Sequence, residues 1–365
     1  MFKNIVKYCL SLLGAISLFT QPVEACTRAL FVGSSDVVIT GRSMDWYEDM
    51  QSDLWAFPKG MKKDGAAGKK SITWTSKYGS VIVSCYNIGT ADGMNEKGLV
   101  ANVLYLVESD YGVPVADKPL LSIVAWAQYA LDNFSSVSEA VEILRQEPFS
   151  IVAPRLPNGS PAQLHLSISD PTGDSAIFEY VEGKLVIHHN KEYKIMTNSP
   201  IFSQQLALNA YWKSINGTAF LPGTSRAADR FARASFYLQS LPQKSSPEYI
   251  NAVPQKEYEN LAGASVLSLV RSVSVPLGAS TPSQPNIAST LWRTISDQKN
   301  KRYFFDSATS PNVFWVDLSD LQFEIGSPVK KLSVSKGNVF SGNVASFFEK
   351  AEPFKFLSAS ELNEK

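Results

Sequence analysis

One cysteine stands where an export signal ends and a predicted strand begins, in the stretch QPVEACTRALFVG, Gln21–Gly33. Cleavage after Ala25 makes Cys26 the first residue, so that one residue carries both a thiol and a free α-amine. A free α-amine has a pKa of about 7.7–8.0 and a cysteine thiol one of about 8.5, so proton exchange between them costs little near neutral pH. Such a residue holds a nucleophile and its base at a fixed distance, as in the N-terminal threonine variant of a catalytic triad.

The stretch GRSMDW contains the charges that such a nucleophile needs. A cation lowers the pKa of a nearby thiol, and a carboxylate can orient the amine. Arg42 and Asp45 lie in this stretch, at the end of a strand that returns beside Cys26 if a hairpin turns near Ser34–Asp36. Serine and aspartate suit such a tight turn. A surface Arg–Asp pair at a strand end is the alternative, and the spacing alone leaves both interpretations open.

The first 25 residues have the order of a secretory signal peptide. Two lysines precede the apolar run Tyr8–Phe19, and Val23 and Ala25 occupy the small-residue positions before the cleavage site. The run is shorter than the roughly 20 apolar residues that span a bilayer, and we expect no integral membrane segment. We therefore expect an exported chain, periplasmic or secreted, with one domain over residues 26–365.

Two other fates of Cys26 compete with the nucleophile interpretation. It could be the lipidated residue of a lipoprotein, although Glu24 suits a lipidation site poorly and no polar tether follows the cysteine. It could also pair in a disulfide with Cys85, the other cysteine that remains after signal removal. Cys85 alternates with Val81 and Val83 on one strand face, which favours a small buried core residue.

Charge and motif content exclude several classes of function. The chain has 34 basic and 34 acidic residues and no basic run, so it lacks the electrostatic footprint of a nucleic-acid-binding protein. H-E-x-x-H, C-x-x-C, G-x-S-x-G, G-x-G-x-x-G and Walker patterns do not occur. The usual zinc-enzyme, serine hydrolase, dehydrogenase and phosphoryl-transfer interpretations therefore lack support.

The chain has only three histidines, and their positions favour structural roles. In QLHLSIS, His165 shares the polar face of a strand with Ser167 and Ser169. It could act as a base, but the pattern favours a surface strand residue. The adjacent His188 and His189 near a strand end are interpreted as solvated rather than metal-bound.

Hydrophobic periodicity predicts runs of strands separated by pairs of helices. The predicted helices are PLLSIVAWAQYALDNF (Pro119–Phe134), SVSEAVEILRQ with Ser136 and Glu139 as a capping box, RAADRFARASFYLQSL and LAGASVLSLVRSV. This order is not a βαβ series. It predicts an α+β fold in which two largely antiparallel sheets pack between helical layers, a four-layer αββα sandwich.

Several stretches, in one order along the chain, resemble a known family. They are CTRALFVG, GRSMDW, ADGMNEKGLVANVLYL, YKIMTNSPIF, LPGTSRAADRFARASF, VRSVSVPLG, STLWRT, KRYFFDSA and VFWVDL. Together they resemble the choloylglycine hydrolase family, which contains penicillin V acylases and conjugated bile salt hydrolases. The resemblance covers essentially the whole chain after the signal peptide. It implies the N-terminal nucleophile hydrolase fold, which is an αββα sandwich.

The resemblance also implies a set of catalytic residues. They are Cys26 as nucleophile, Arg42 beside its thiol, Asp45 holding the α-amine, Asn198 and Tyr105 receiving the oxyanion through a side-chain amide and a backbone N–H, and Arg230 polarising the site. The implied reaction is acyl transfer from a linear amide to the thiolate. The α-amine relays the proton, and water then hydrolyses the thioester. The implied reaction needs no metal and no organic cofactor.

The substrate is implied by the residues that line the acyl position. The Tyr105 position tends to be asparagine in bile salt hydrolases, tyrosine in Gram-positive penicillin V acylases and tryptophan in Gram-negative ones. Trp46 adds a second aromatic wall, and such walls suit a phenoxyacetyl group or an alkyl chain. The short segment between Asn198 and Arg230 favours the Gram-negative branch, which includes acylases that also cleave N-acyl homoserine lactones. A conjugated bile salt hydrolase is the alternative. The expected partner is a small-molecule amide, and a homo-oligomer is compatible with the sequence.

Overall fold

The structure, a computed structural model, describes residues 26–215, 220–245, 247–282, 287–310 and 312–359. The predicted signal peptide, residues 1–25, lies outside the described residues. Within these ranges, none of the helices is long and apolar enough to cross a membrane.

Seven strands form one of the two central sheets. In spatial order they are β14 (Ile195–Thr197), β1 (Thr27–Val32), β2 (Val38–Trp46), β15 (Ser289–Asp297), β16 (Arg302–Ser307), β17 (Val313–Asp317) and β19 (Gly342–Asn343). Neighbouring strands are antiparallel except for the parallel β17–β19 pair at one edge.

Nine antiparallel strands form the second central sheet. In spatial order they are β13 (Lys184–His189), β12 (Ser175–Val181), β11 (Leu164–Ser169), β8 (Val100–Tyr105), β7 (Gly89–Asn95), β6 (Ser80–Cys85), β3 (Leu54–Phe57), β18 (Lys330–Leu332) and β20 (Glu349–Lys350). Two small two-stranded sheets lie outside it, namely β4 (Lys62–Asp64) with β5 (Thr73–Thr75), and β9 (Leu120–Ser122) with β10 (Ser150–Val152).

The helices cover the outer faces of the two large sheets. They are α1 (Trp126–Asn133), α2 (Val137–Leu144), α3 (Phe202–Ser214), α4 (Ala227–Ser240) and α5 (Tyr258–Ser272). Short 3₁₀ helices occur at Gly68–Lys70, Ile123–Ala125, Ile250–Ala252, Pro254–Lys256, Leu318–Asp320 and Ala345–Phe347. Helix α1 packs on β7 and β8, whereas α4 and α5 pack on β1 and β2 of the seven-stranded sheet. The predicted αββα sandwich is confirmed.

A tight hairpin joins β1 to β2 and determines where the site forms. Ser35 and Asp36 have φ values of 55° and 57°, the left-handed conformation that both central residues of a type I′ hairpin turn adopt. The turn sets a register in which Thr27 lies opposite Ser43. Cys26, directly before β1, therefore meets the last residues of β2, as the sequence predicted.

The layer between the two large sheets is partly polar. The hydroxyls of Thr40 on β2 and Ser169 on β11 hydrogen bond across it at 2.8 Å, and Tyr303 on β16 donates to the Asp92 carboxylate on β7. His165 lies on the same face of β11 as Ser169 and is only 1% exposed. The prediction of a surface histidine is therefore wrong, because the polar face of this strand points at the opposite sheet rather than at solvent.

The first predicted helix starts later than its apolar periodicity suggests. Residues Leu120–Ser122 form strand β9 parallel to β10, a 3₁₀ turn follows, and α1 begins only at Trp126. The Leu120 carbonyl accepts a hydrogen bond from Ile72 N–H at 2.9 Å, and Ser122 N–H donates to the Gly65 carbonyl at 2.7 Å. Pairing with these distant segments outweighs the helical periodicity of the run.

The second helix has the predicted start with one difference. Ser136 is the N-cap of α2, and its hydroxyl accepts from the Glu139 N–H at 3.2 Å. The Glu139 carboxylate returns to the N–H of Ser135 at 2.8 Å, one residue before the position that a capping box prescribes. The pair therefore caps the helix while also tying down the residue before it.

Several elements were not predicted from the sequence, namely helix α3 and strands β3, β4, β7, β10, β18, β19 and β20. Helix α3 buries only Phe202, Gln205 and Asn209, so it lacks the apolar stripe that marks an amphipathic helix. Strand β7 has the sequence GTADGMN, which lacks the usual strand composition. Strand β3 is only four residues long.

Candidate active site

The thiol of Cys26 is enclosed by the end of β2. Its Sγ accepts a hydrogen bond from the Asp45 backbone N–H at 3.4 Å, and Arg42 Nη2 lies 3.9 Å away. The Sδ of Met44 is 3.8 Å from the same sulfur. Cys26 is 3% exposed. The hairpin register thus brings the nucleophile candidate against the stretch that sequence analysis singled out.

Burial and charge act in opposite directions on this thiol. Burial is the largest influence and raises the pKa of Cys26, and the Asp45 carboxylate raises it further. The Arg42 cation, the Asp45 N–H and the Arg230 cation all lower it, without cancelling the effect of burial. The two arginines therefore restore part of the thiolate stabilisation that burial removes.

Arg42 is fixed between an aromatic ring and a backbone carbonyl. Its guanidinium carbon lies 4.6 Å from the centroid of the Trp292 ring, within the range of a cation–π interaction. Its Nη2 donates to the Val103 carbonyl of the opposite sheet at 3.0 Å. Arg42 is fully buried, and its Nε and Nη1 have no hydrogen-bond partner among the described residues.

Asp45 is a buried carboxylate without an ordinary partner. It is fully buried, and within the described part of the chain neither carboxylate oxygen accepts a hydrogen bond of normal geometry. Burial raises its pKa to about 6, although Arg230, the nearby Thr290 hydroxyl and Arg42 each lower it. An unpaired carboxylate is costly to bury, so this position suits a cationic group brought to it.

Arg230 on α4 connects Cys26 to Asn198 on the opposite side of the site. Its Nη1 donates to the Cys26 carbonyl and the Thr27 hydroxyl, both at 2.6 Å, and its Nε donates to the Ser225 carbonyl at 2.9 Å. Its Nη2 donates to Asn198 Oδ1 at 3.0 Å. Burial lowers the pKa of Arg230 to about 10, so the guanidinium stays charged at neutral pH.

Asn198 and Tyr105 meet at the end of β8. The Asn198 Nδ2 donates to the Tyr105 carbonyl at 2.8 Å. The next residue, Leu106, directs its N–H to Gln163 beyond the edge of β11 at 3.0 Å. Because successive residues of a strand direct their backbone groups to opposite edges, the N–H of Tyr105 points away from β11, on the side where Asn198 lies.

Aromatic rings cluster at the end of β2, starting at Trp46, the residue after Asp45. The ring of Trp46 stacks on Tyr47 with centroids 4.9 Å apart, and lies 6.0 Å from the ring of Tyr105 at an angle of 58°. The Trp46 indole N–H donates to the Tyr86 hydroxyl at 2.8 Å, and that hydroxyl donates to the Glu48 carboxylate. These contacts hold the indole plane in one orientation.

The structure brings all the predicted site residues to one place and adds others that sequence analysis missed. Met44 touches both Cys26 Sγ and Arg42, at 3.8 and 3.5 Å, and the ring of Trp292 lies against Arg42. Both residues lie in stretches that carried the family resemblance, GRSMDW and STLWRT, which was the available signal. Tyr86 lies outside those stretches, so the sequence contained no signal that pointed to it.

The two described cysteines are both free, so the alternative of a disulfide is wrong. Cys85 is half-buried rather than fully buried, whereas Val81 and Val83 are inaccessible. A register shift between Val83 and Ser84 interrupts the alternation that predicted a core position. Burial nevertheless raises the pKa of the Cys85 thiol to about 11.

Comparison with known proteins agrees with this geometry. The model of linear amide C–N hydrolases, choloylglycine hydrolase family, matches residues 26–331. A penicillin V acylase of Pectobacterium atrosepticum is 50% identical over 363 residues, covering 95% of this chain and 96% of the relative. A bile salt hydrolase/transferase of Clostridium perfringens is 28% identical over 58% of this chain and 71% of its own length.

Solved structures extend the comparison to three dimensions. The penicillin V acylase from Agrobacterium tumefaciens superposes with a TM-score of 0.82 at 52% identity, covering 91% of this chain and all of that one. A mutant of the conjugated bile acid hydrolase from Clostridium perfringens, with a TM-score of 0.69 at 22% identity over 84% of this chain and 96% of its own, shares the fold. The predicted resemblance to penicillin V acylases is confirmed, and the chain belongs to the choloylglycine hydrolase family of linear amide C–N hydrolases.

Proposed function

We propose that this amidohydrolase acts as a penicillin V acylase whose nucleophile is Cys26, at the N-terminus of a processed chain. The observation that carries the proposal is the buried carboxylate of Asp45, in the segment that encloses the Cys26 thiol, which accepts no hydrogen bond of normal geometry from the described residues. A free α-ammonium on Cys26 supplies the missing partner of that carboxylate. The family match, which begins at residue 26, supports the same cleavage point.

In this mechanism the first half-reaction transfers the acyl group to sulfur. The Cys26 thiolate, stabilised by Arg42, attacks the amide carbonyl, and the C–S bond forms as the carbonyl electrons move to oxygen. Asn198 Nδ2 and the Tyr105 N–H receive that oxyanion. The C–N bond then breaks, and the α-ammonium of Cys26, which holds the proton that the thiol gave up, passes it to the departing amine. A thioester remains on Cys26.

The second half-reaction returns the enzyme to its starting state. Water attacks the thioester carbonyl while the α-amine takes one of its protons. The C–S bond breaks, the carboxylic acid leaves, and the thiol regains a proton. Asp45 holds the amine throughout, and Arg230 holds both the Cys26 carbonyl and Asn198, at 2.6 and 3.0 Å, so that nucleophile and oxyanion donors keep their spacing.

The acyl group that we propose is aryloxyacetyl, as in penicillin V. Trp46, Tyr47 and Tyr105 form an aromatic wall on which such a ring can stack. The two relatives of about half identity are both penicillin V acylases. N-acyl homoserine lactones with alkyl chains are a further substrate class for the same wall. A conjugated bile salt is the second candidate, favoured by the 28% identical Clostridium relative.

The proposal also includes the fate of the whole chain. Residues 1–25 act as a signal peptide whose removal creates the catalytic amine, and residues 26–365 form one domain. The processed protein is periplasmic or secreted and is free to assemble into a homo-oligomer. Cell fractionation and analytical ultracentrifugation of the purified protein measure these two properties directly.

Intact-mass spectrometry of the exported protein, combined with an assay of penicillin V hydrolysis, tests the central claim. We expect an active protein that starts at Cys26 and carries no adduct. A diacylglyceryl group on Cys26 identifies a lipoprotein instead, and an active protein starting at any other residue contradicts the mechanism.

A substrate panel tests the acyl preference. Penicillin V, glycine- and taurine-conjugated bile salts and acyl homoserine lactones of several chain lengths are compared by kcat/KM. We expect penicillin V to be cleaved and bile salts to be poor substrates. Efficient bile salt cleavage without penicillin V turnover reverses the ranking.

A further inference from the structure

Two of the three histidines converge on one buried carboxylate that the proposed mechanism does not use. His165 Nδ1 lies 3.0 Å from Glu179 Oε1, and His188 Nε2 lies 3.3 Å from Glu179 Oε2. The side chains of His165 and Glu179 are each 1% exposed, and that of His188 is 16% exposed. The exposed His189, the next residue, points instead to the partly buried Asp174, at 2.9 Å.

The same carboxylate binds the start of helix α3. The N–H of Phe202, the first residue of the helix, lies 3.1 Å from both oxygens of Glu179. A carboxylate at a helix N-terminus is stabilised by the helix dipole and satisfies an otherwise unpaired N–H. The rings of His188 and Phe202 are also in contact, with centroids 4.9 Å apart. Glu179 therefore fixes the position of this helix end.

The start of α3 in turn holds Asn198. Phe202 follows Asn198 by only four residues, and Gln205 in the first helical turn donates to the Asn198 carbonyl at 3.1 Å. A displacement of the helix end therefore moves the backbone of Asn198. Its side-chain amide would then lose its alignment with the Tyr105 carbonyl, 2.8 Å away.

The contact of Glu179 with His165 links the carboxylate to β11, the strand that pairs with β8 beside Tyr105. His165 pairs with Leu104 in the register of β11 and β8, and the preceding residue Leu164 pairs with Tyr105. Glu179 thus connects, through His165 and Phe202, the two chain segments that present the proposed oxyanion donors. These segments, around positions 105 and 198, are far apart in sequence and have no hairpin to align them.

The charge of this cluster suits a fixed anchor rather than a proton carrier. Burial raises the pKa of Glu179, but the hydrogen bonds from His165, His188 and Phe202 outweigh it and lower the pKa to about 2. The carboxylate therefore stays ionised throughout the neutral range. Across the described ranges there is no group of three or more His, Cys, Asp or Glu side chains that could hold a metal ion.

We propose that Glu179 is a positioning residue for the oxyanion hole, which ties the N-terminus of α3, and with it Asn198, to the strand beside Tyr105. The inference rests on the proposed function, in which Asn198 and Tyr105 receive the oxyanion. Glu179 acts through these residues and does not touch the reacting atoms.

The test uses Glu179→Gln and His188→Gln, with His189→Gln as a matched control on the adjacent position. We expect Glu179→Gln to lower kcat for penicillin V by about 10- to 100-fold. Losses of that size are typical when a residue that orients the ligands of a metal site is replaced, and we expect a similar loss here. KM should change little. His188→Gln should show a smaller fall of the same kind, and His189→Gln should retain full activity. His188→Gln decides the matter if Glu179→Gln does not fold.

Alkylation of Cys26 by iodoacetamide separates positioning from general damage, because this reaction needs the thiolate but no oxyanion hole. We expect Glu179→Gln and His188→Gln to be alkylated at the wild-type rate. A parallel fall of kcat and alkylation rate in both variants indicates loss of structure and overturns the proposal. Values of kcat within twofold of wild type in both variants overturn it as well.

Asn198→Ala distinguishes a failure of the positioning role of Glu179 from a failure of the proposed oxyanion hole. If Asn198→Ala loses activity by about 10²–10³-fold and the Glu179 and His188 variants do not, only the anchor is wrong. If Asn198→Ala keeps full activity, the proposed oxyanion hole fails, and the role of Glu179 fails with it.

Discussion

The two sides of the candidate site are built in different ways. The thiol side consists of Cys26, Arg42 and Asp45, which lie on one hairpin and are aligned by its register. The oxyanion side consists of Tyr105, Asn198 and Arg230. These residues lie on separate elements and are brought together by long-range contacts. A short turn suffices for the first side. The second depends on buried polar contacts, which hold only while every partner is in place.

This difference predicts different failures. On the thiol side, a substitution should change the reactivity of the sulfur itself. On the oxyanion side, a substitution should lower turnover while leaving the sulfur as reactive as before. Iodoacetamide alkylation measures the first property, and kcat for amide hydrolysis depends on both.

Cys26→Ala should give the largest effect. With the nucleophile removed, we expect amide hydrolysis to fall to background, a loss of about 10⁶-fold if Cys26 acts as the catalytic serine does in subtilisin. Penicillin V hydrolysis measures the loss, and circular dichroism with thermal melting checks that the fold is intact. Wild-type activity in this variant rules out the nucleophile assignment.

Arg230→Lys tests the oxyanion side while conserving charge. Lysine cannot reproduce the contacts of the guanidinium with Cys26, Thr27, Ser225 and Asn198. We expect kcat to fall by about 10²–10³-fold, as when one oxyanion donor is lost, while alkylation of Cys26 changes by less than about threefold. Equal losses in the two measurements contradict the division into two sides.

Arg42→Gln tests the thiol side through its pH dependence. The Arg42 cation lowers the pKa of the Cys26 thiol, so removing it should raise that pKa. The rise of the alkylation rate with pH should therefore move to higher pH. At pH 7 we expect alkylation and kcat/KM to fall together by about 10- to 100-fold, one to two pKa units of lost thiolate. An unchanged alkylation profile contradicts the role of Arg42.

Tyr105→Asn should give the smallest effect, on selectivity rather than rate. The backbone N–H of residue 105 is retained, but the ring that lies 6.0 Å from Trp46 is lost. We expect penicillin V to lose about 3- to 10-fold in kcat/KM relative to bile salts, the size of one aromatic contact. The ratio of the two kcat/KM values measures this, and a constant ratio argues against Tyr105 as part of the acyl wall.

The thiol side could be predicted from sequence because its geometry is local. Ser34–Asp36 has the composition of a tight turn, and a turn of fixed length fixes which residue lies opposite Thr27. The alternation of apolar residues likewise revealed the strands and the αββα order. Local chemistry and short-range periodicity are both readable from a single chain.

The residues of the oxyanion side could be identified only by the family resemblance. The residues that we propose to position them could not be identified from the sequence. Helix α3 has too few buried apolar residues to show a periodicity, so the start that positions Asn198 was missed. His165 was assigned to the surface because polar strand faces usually meet water. Which face of a strand meets a second sheet is a property of the assembled fold, and no pattern within seven residues reveals it.

The hydrogen bonds between the two large sheets have a consequence for engineering. The Cys26 thiol lies at the end of the seven-stranded sheet and the Tyr105 N–H in the nine-stranded one, so a slip of one sheet over the other would separate the proposed attacking atom from the proposed oxyanion donor. An apolar interlayer tolerates small shear, whereas the Thr40–Ser169 and Tyr303–Asp92 contacts permit one alignment only. Replacing these polar side chains with apolar ones should therefore lower kcat even where it raises thermal stability.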